Sequence, residues 1–192
     1  MLSKAIEQIK TAVILLLLFT VLTGLIYPAI VTGVAQFLFS WQANGSLIMK
    51  NGTATGSLLI GQSFTDPKYF WGRPSATSPF PYNAENSSGS NLGPSNPDLF
   101  TAVQSRIDIL KKSDPKNSDL IPIDLVTSSA SGLDPEISPL AAMYQVPRIA
   151  KARHIQELII QKLIEDAIEP RTLGMLGEPR VNVLKLNLAL DN

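Results

Sequence analysis

The chain has no cysteine and a single histidine, His154. Without cysteine it has no disulfide, no thiolate metal ligand and no cysteine nucleophile. One imidazole excludes a zinc or iron site built from several histidines. We therefore predict that the chain has no metal site.

A strong net charge is also missing, because 16 lysine and arginine residues balance 16 aspartate and glutamate residues in a chain of 192. A balanced chain creates no broad electrostatic field that would attract nucleic acid. We therefore expect no nucleic-acid partner.

The common nucleotide motifs do not occur. The sequence has no GxxxxGK followed by Ser or Thr, no GxGxxG and no Asp-Lys-Thr-Gly-Thr phosphorylation loop. The best enzyme-like string runs from Ser113 to Lys116 and matches S-x-x-K, but Pro115 interrupts it in a predicted loop and no Lys-Thr-Gly partner exists. We interpret this match as accidental and predict no catalytic residue and no ATP hydrolysis by this chain alone.

A long apolar run stands near the start of the chain. No charged side chain occurs between Lys10 and Lys50, and residues 12–30 are mostly Val, Ile, Leu and Phe. A bilayer core of about 30 Å needs about 20 helical residues, so we predict a transmembrane helix at 11–33. The alternative is a signal peptide cleaved after the small residues at 33–35, but signal peptides have shorter apolar regions of about 7 to 15 residues.

The flanking charges predict how this helix is oriented. Lys4, Lys10 and the amino terminus precede it, whereas only Lys50 follows within a similar distance. Residues 1–10 should therefore be cytoplasmic and the residues that follow the helix extracytoplasmic, which in a Gram-negative cell means an inner-membrane protein with a periplasmic domain.

One face of the helix has the composition of a packing surface. Thr20, Gly24 and Pro28 follow one another at intervals of about one turn, which would let another helix approach closely. Ordinary lipid-facing sequence is an equally good interpretation of the same residues.

The remainder predicts a linker at 34–56 and a mixed α/β (α+β) domain at 57–192. A long stretch rich in Pro, Gly, Ser and Asn, at 67–97, predicts a surface loop. Short apolar or alternating runs predict strands at 58–62, 121–126 and 181–190. Capping residues, prolines and helical periodicity predict helices from Asn96 and Pro97 to about Lys112, from Pro139, from Pro147, and at 155–168.

Two features outside these elements have a functional interpretation and a structural one. Residues 128–145 gather hydroxyl groups at predicted helix starts, which could bind an anion but more often serve as caps. His154 could sense pH, although a solitary surface histidine usually has no such role.

Four long strings, in order, carry a resemblance to a known family. They lie at 56–76 (including GSLLIGQSF and PKYFWGRPSA), 82–97 (YNAENSSGSNLGPSNP), 121–153 (beginning IPIDLVTSSASGLDPEISP) and 176–191 (LGEPRVNVLKLNLALD). With one N-terminal membrane helix, the chain resembles the C subunits of Kdp-type potassium-transporting ATPases. It departs from the pattern we expect of that family at Glu136, where relatives often carry His or Asn, and at His154, where Gly or Asn is commoner.

The resemblance implies a non-catalytic accessory subunit of an ATP-driven, high-affinity potassium uptake pump. The implied partners are a P-type subunit that hydrolyses ATP, a channel-like potassium-translocating subunit and a small membrane subunit. The family is described as a catalytic chaperone that raises the nucleotide affinity of the ATPase subunit, with Gln145 as a suspected nucleotide contact. No tightly bound cofactor is implied, because the partner subunit uses the ATP.

A periplasmic domain could not touch cytoplasmic ATP, so either the effect on nucleotide affinity is indirect or the orientation inferred from the flanking charges is wrong. We expect the first. An alternative remains from another class of protein: a stand-alone hydrolase or binding protein of the envelope, tethered to the membrane. Co-purification distinguishes the two, because only an accessory subunit should arrive with pump components.

Overall fold

The computed structural model describes residues 2–50 and 52–191, with side chains from residue 4 onward. Met1, Asn51 and Asn192, which the sequence analysis assigned to the cytoplasmic segment, the linker and the domain, lie outside the described residues. The chain divides into two compact units, one ending at Ser46 and the other beginning at Leu47.

The first unit is dominated by a helix that is long and apolar enough to cross a membrane. Helix α1 covers Leu2–Val21 and α2 covers Tyr27–Leu38, and together with the turn between them they give a candidate span of 35 residues, Lys4–Leu38. None of the most apolar window is buried within the protein. A helix that is apolar on all sides needs lipid or other helices around it, which agrees with the predicted anchor.

The two helical stretches are joined by a π-helical turn, Leu22–Ile26, in which the amide of Tyr27 bonds to the carbonyl of Leu22. Pro28 has no amide hydrogen, so the carbonyl of Gly24 has no α-helical donor four residues ahead. A wider turn at this point lets the helix continue past the proline without breaking.

The predicted linker at 34–56 consists mostly of regular structure. The long helix continues to Leu38, a short helix α3 covers Ser40–Ala43, and strands β1 (Leu47–Lys50) and β2 (Thr53–Ser57) form an antiparallel hairpin. The strand predicted at 58–62 is wrong, because the chain has already left β2 and turns there.

The described residues of the second unit form five further α-helices, and the predicted helices are confirmed with small changes at their ends. Asn96 caps the first of them by accepting a hydrogen bond from the amide of Asp98. Pro139 and Pro147 lie in the first turns of two others, where a missing amide hydrogen costs nothing. The helices are α4 (Pro97–Ser113), α5 (Pro139–Tyr144), α6 (Val146–Arg153), α7 (Glu157–Ala167) and α8 (Val183–Leu190).

A small antiparallel sheet accompanies these helices. Strands β3 (Glu136–Ile137), β4 (Ile168–Glu169) and β5 (Arg180–Asn182) pair in the order β3-β5-β4. The core comprises residues from all five of these helices and from this sheet, together with Phe70 of the long loop and with Leu125 and Val126. The unit is thus a mixed helix and sheet domain, as predicted, with its long loop joined to its core.

The other two predicted strands are also wrong, the second of them over most of its length. Residues 121–126 contain Pro122 and form a 3-10 turn, Ile123–Leu125, in which Ile123 faces solvent. Residues 181–190 are strand only as far as Asn182, whose side chain then caps α8 by accepting from the amide of Lys185. The exposed residues Lys185 and Ala189 are four apart, which is the spacing of a helical face.

Candidate functional site

The long loop, which ends at residue 96 where α4 begins, has no helix or strand from residue 67 onward, yet its first part is bound tightly to the helices. We call residues 66–72 the strap. Gln145, at the junction of α5 and α6, holds the strap at Trp71: its Oε1 accepts from the Trp71 amide at 2.8 Å and its Nε2 donates to the Trp71 carbonyl at 3.1 Å. Nε2 also donates to the carbonyl of Ala141 at 3.1 Å. The side chain is 1% exposed.

Asn187 on α8 repeats this arrangement one residue earlier. Its Oδ1 accepts from the amide of Phe70 at 2.8 Å, and its Nδ2 donates to the Phe70 carbonyl at 3.0 Å. Both backbone groups of Phe70 and of Trp71 are thus paired with a side-chain amide, as they would be with a neighbouring strand. The two amides allow an irregular segment to be buried without unpaired polar groups.

Arg148, one turn after Gln145, completes the fixation of the strap. It is 4% exposed, and its guanidinium donates to the carbonyls of Pro67 and Tyr69 and to Oε1 of Gln145 at 2.6 Å. It also lies over the Trp71 ring, 4.1 Å from the centroid. Burial lowers the pKa of Arg148 to about 10, so the group stays charged at neutral pH, stabilised by carbonyl dipoles and an aromatic face.

A second arginine fixes the outer edge of the strap. Arg153 donates to the carbonyls of Lys68 and Leu190 and pairs with Asp191 at 2.7 Å. The hydroxyl of Tyr69 donates to the other oxygen of Asp191 at 2.8 Å. Burial alone would raise the pKa of Asp191, but the hydrogen bonds from Arg153 and Tyr69 bring that pKa below its usual value.

These contacts bear on the predicted nucleotide contact at Gln145. Both atoms of its amide are engaged within the fold, and the side chain is not at the surface. A ligand could reach the amide only after the strap had left it. Nucleotide binding at Gln145 stays a prediction. In the structure this side chain binds the backbone of Trp71 and so holds the strap against the helices.

The middle of the long loop is held against residues 129–134. The hydroxyl of Ser75 donates to the carbonyl of Gly132 at 2.6 Å and accepts from the amide of Tyr82 at 2.9 Å. Ser88 bonds to Ser131 through the backbone at 3.0 Å. The Tyr82 hydroxyl donates to the carbonyl of Arg73, and burial raises the pKa of Tyr82 to about 12, so the phenol remains a donor at neutral pH.

A row of charges crosses the small sheet. Glu136 on β3 pairs with Arg180 on β5 at 2.9 Å, Arg180 lies 3.4 Å from Glu169 on β4, and Glu169 pairs with Lys185 at 2.8 Å. Burial raises the pKa of Glu136, the Arg180 hydrogen bond opposes that rise, and the charges of Glu169 and Asp134 add to it. The net direction is upward.

This raised pKa predicts how Glu136 changes stability with pH. A carboxyl that binds its proton more tightly in the folded state contributes stability below its unfolded pKa of about 4.5 and loses that contribution as pH rises through the folded pKa. The stability of the wild type relative to Glu136→Gln should therefore increase as pH falls from 7 toward 4.5. Urea denaturation of both proteins across that range measures the difference, and a constant or reversed difference would contradict the assignment.

Two other sequence candidates have plain structural roles. Ser113 ends α4 and donates to the carbonyl of Leu110 at 2.7 Å, while Lys116 lies in the exposed turn beyond. At the start of α5, Ser138 caps the helix and donates from both its amide and its hydroxyl to Asp124. The carboxylate of Asp124 thus occupies the start of α5, and Ser138 serves as the helix cap there.

His154 ends α6 with a positive φ of 57°. Glycine and asparagine adopt this left-handed conformation most readily, which is the physical reason to expect them at the position in relatives. Its side chain is exposed.

Thr20, Gly24 and Pro28 all lie on the long helix, and all are exposed. The hydroxyl of Thr20 donates to the carbonyl of Leu16 at 2.8 Å, so it needs no other partner in lipid. Because the π-helical turn separates Thr20 from Pro28, the three residues do not keep regular α-helical spacing. A Cβ on Gly24 would meet no atom within 4 Å, so nothing in the chain itself requires a glycine there.

Sequence reasoning missed Asn187, Arg148 and Arg153 as functional residues. Asn187 lay inside a run interpreted as a strand, and both arginines stood among ordinary helix residues. A local signal exists for Arg148 alone, which lies one helical turn after Gln145.

The fold therefore defines a class of protein: its described residues contain one helix of membrane length and a mixed domain whose long loop is fixed by buried side chains. The family described as "K+-transporting ATPase, c chain" matches residues 9–192. A protein of Herpetosiphon aurantiacus, "Potassium-transporting ATPase KdpC subunit", is 62% identical over 182 residues, covering 95% of this chain and 94% of the relative.

Proteins with the same name occur in other bacteria. One from Methylococcus capsulatus is 56% identical over 186 residues, covering 97% of this chain and 98% of the relative. One from Dechloromonas aromatica is 58% identical over 184 residues, covering 96% of each. The chain belongs to the KdpC family, as its sequence strings indicated.

Proposed function

We propose that the chain is a non-catalytic accessory subunit of an ATP-driven potassium uptake pump. In this proposal the helix Lys4–Leu38 anchors it in the inner membrane with its N-terminus in the cytoplasm. The mixed domain is periplasmic, and the subunit stabilises the complex. Its partners are an ATP-hydrolysing P-type subunit, a channel-like potassium-translocating subunit and a small membrane subunit.

The observation that carries the proposal is the extent of the family match. It begins at residue 9, within α1, and continues through the domain to residue 192. Anchor and domain thus belong together to one family of pump subunits. A stand-alone envelope hydrolase or binding protein, the alternative from sequence, has no comparable support.

We further propose that the subunit raises the nucleotide affinity of the ATPase subunit indirectly. A subunit that binds one conformational state of the pump more tightly raises the affinity for any ligand of that state. Such coupling needs no contact between Gln145 and nucleotide, which suits a side chain whose amide is engaged by Trp71, Ala141 and Arg148.

Substitution of Gly24 tests whether the anchor packs closely against a partner helix. Leucine at this position meets nothing within the chain itself, so Gly24→Leu should leave the subunit folded and inserted. If a partner helix lies there, the bulk should separate the helices and lower the amount of pump that co-purifies with the tagged subunit. The measurement is the ratio of partner subunits to tagged subunit in mild detergent.

Gly33 offers the matched control. A Cβ there also meets nothing within 4 Å. Gly33 lies nine residues after Gly24, mostly along regular α-helix at about 3.6 residues per turn, which is not a whole number of turns and places it on another face. Gly33→Leu should co-purify as the wild type does. Equal loss in both variants, or no loss in either, would contradict a packing face at Thr20, Gly24 and Pro28.

Orientation has its own test. Single cysteines at Lys4 and at the exposed Lys68 are labelled with a membrane-impermeant reagent on intact spheroplasts. The proposal expects labelling at Lys68 only. Labelling at Lys4 only would place the domain in the cytoplasm and reopen direct nucleotide contact.

A further inference from the structure

An open groove on the second unit has no occupant within the described part of the chain. One end, of about 680 Å³, lies between Leu120 and the helices α5, α6 and α7. The other end, of about 470 Å³, lies between Ile123 and the small sheet. Pro122 and Leu140 line both ends, so the two form one continuous surface.

Large apolar side chains stand on this surface, turned to solvent. Leu120 is 94% exposed, Leu140 75% and Ile123 74%. Neighbouring apolar residues on a folded domain are typical of an interaction site when polar residues surround them. The core does not need these three side chains, because it is closed beneath them by residues such as Ile137 and Val146.

The charged side chains around the groove are mostly negative. Six of the eight charged side chains that line it are carboxylates, although the whole chain has equal numbers of acidic and basic residues. Asp134 and Glu136 are neutralised by Arg73 and Arg180. Asp119 and Glu157, at the end of the groove that Leu120 lines, have no ion-pair partner among the described residues.

We propose that this groove receives an extended segment of another subunit of the pump, one that carries a large apolar side chain flanked by lysine or arginine. The apolar side chain would lie against Leu120 and Leu140, and the basic groups would pair with Asp119 and Glu157. The inference rests on the proposed function, because it takes the occupant from the same complex. Charge complementarity of this kind selects a partner and orients it.

Crosslinking in the assembled pump identifies the occupant. A photo-reactive residue at position 120 replaces a side chain that is almost fully exposed, so folding is unaffected. Mass spectrometry of the product should give a peptide of a different pump subunit in which lysine or arginine neighbours a large apolar residue. A crosslink to a second copy of this chain, to lipid, or to a segment without basic residues would overturn the proposal, and so would the absence of any crosslink.

Two substitutions with matched controls test the chemistry. Leu140→Ser should speed dissociation of the detergent-solubilised pump about tenfold, the effect of losing one central apolar contact, whereas Phe100→Ser on α4, also exposed, should not. Asp119→Lys should speed it about fivefold and reduce its salt dependence, whereas Glu85→Lys on the exposed loop should not. Dissociation unchanged in Leu140→Ser and Asp119→Lys would overturn the proposal.

The result separates this inference from the function on which it rests. If the wild-type chain brings no pump subunit with it, the proposed function fails. If the wild type co-purifies with the pump and the groove variants dissociate no faster, the function stands and the groove is not the docking site.

Discussion

Replacing Gln145 with alanine is expected to lower the free energy of unfolding by about 3–5 kcal/mol. The substitution leaves the amide and carbonyl of Trp71 without partners and removes one acceptor from the buried guanidinium of Arg148. Each buried polar group left unpaired costs about 1–3 kcal/mol, and the vacated volume adds to this. Urea denaturation followed by circular dichroism measures the loss.

Asn187→Ala is the matched control, because Asn187 holds Phe70 just as Gln145 holds Trp71. Both variants should be destabilised to a similar degree. Hydrogen exchange then localises each effect: Gln145→Ala should accelerate exchange at the Trp71 amide more than at Phe70, and Asn187→Ala should do the reverse.

The same pair separates a structural role from nucleotide contact. If Gln145 acts only through the strap, the two variants should change the apparent ATP affinity of the assembled pump together, in proportion to their loss of stability. A direct contact predicts a different outcome, in which Gln145→Ala lowers ATP affinity while Asn187→Ala leaves it intact. An unaltered unfolding energy in Gln145→Ala would show that the strap does not depend on this amide.

Glutamine suits position 145 better than glutamate, even though a glutamate there would form an ion pair with Arg148. The side chain must accept from Trp71 and Arg148 and also donate to Trp71 and Ala141. A carboxylate has only acceptors. Gln145→Glu would therefore gain an ion pair but leave the two carbonyls without their donor.

Elements with local signals could be predicted from sequence. Asn96 and Pro97 define the start of α4, and the prolines at 139 and 147 define the starts of α5 and α6, because capping and the missing amide hydrogen act within one turn. The anchor followed from a run of apolar residues long enough to span a bilayer.

Errors arose where one pattern allowed two structures. The leucines at 184, 186, 188 and 190 alternate as in a strand. Asn182 nevertheless caps a helix at this point, and tertiary packing favours the helix over the strand. The sequence Asn-Gly at 51–52 is typical of a hairpin turn, although it lies inside the predicted linker. Strands β1 and β2 pair on either side of it.

The candidate site depends on contacts that no local pattern can reveal. Gln145 and Trp71 are 74 residues apart, and Asn187 and Phe70 are 117 apart. The sequence shows a loop rich in Pro, Gly, Ser and Asn, for which disorder is as good a prediction as order. Buried amides and guanidinium groups from distant helices determine which of the two it becomes.

Gly132→Ala tests whether the middle of this loop is held as tightly as the strap. Gly132 has a positive φ of 68°, and a Cβ there would lie 2.6 Å from the carbonyl oxygen of Ser88. That oxygen belongs to backbone fixed by the hydrogen bond from Ser88 to Ser131, so it has little freedom to move. Conformational strain and the steric clash together should cost about 2–4 kcal/mol.

Gly132→Ala should open the long loop locally before the whole domain unfolds, because the clash separates the loop from residues 129–134 without touching the helical core. Limited proteolysis of Gly132→Ala should cut within 77–95 faster than in the wild type, while α7 and α8 remain protected. Gly93→Ala is the matched control, since a Cβ at Gly93 meets nothing within 4 Å and its φ is ordinary. If both variants were cut at the wild-type rate, the serine and glycine contacts at Gly132 would not be what orders the loop.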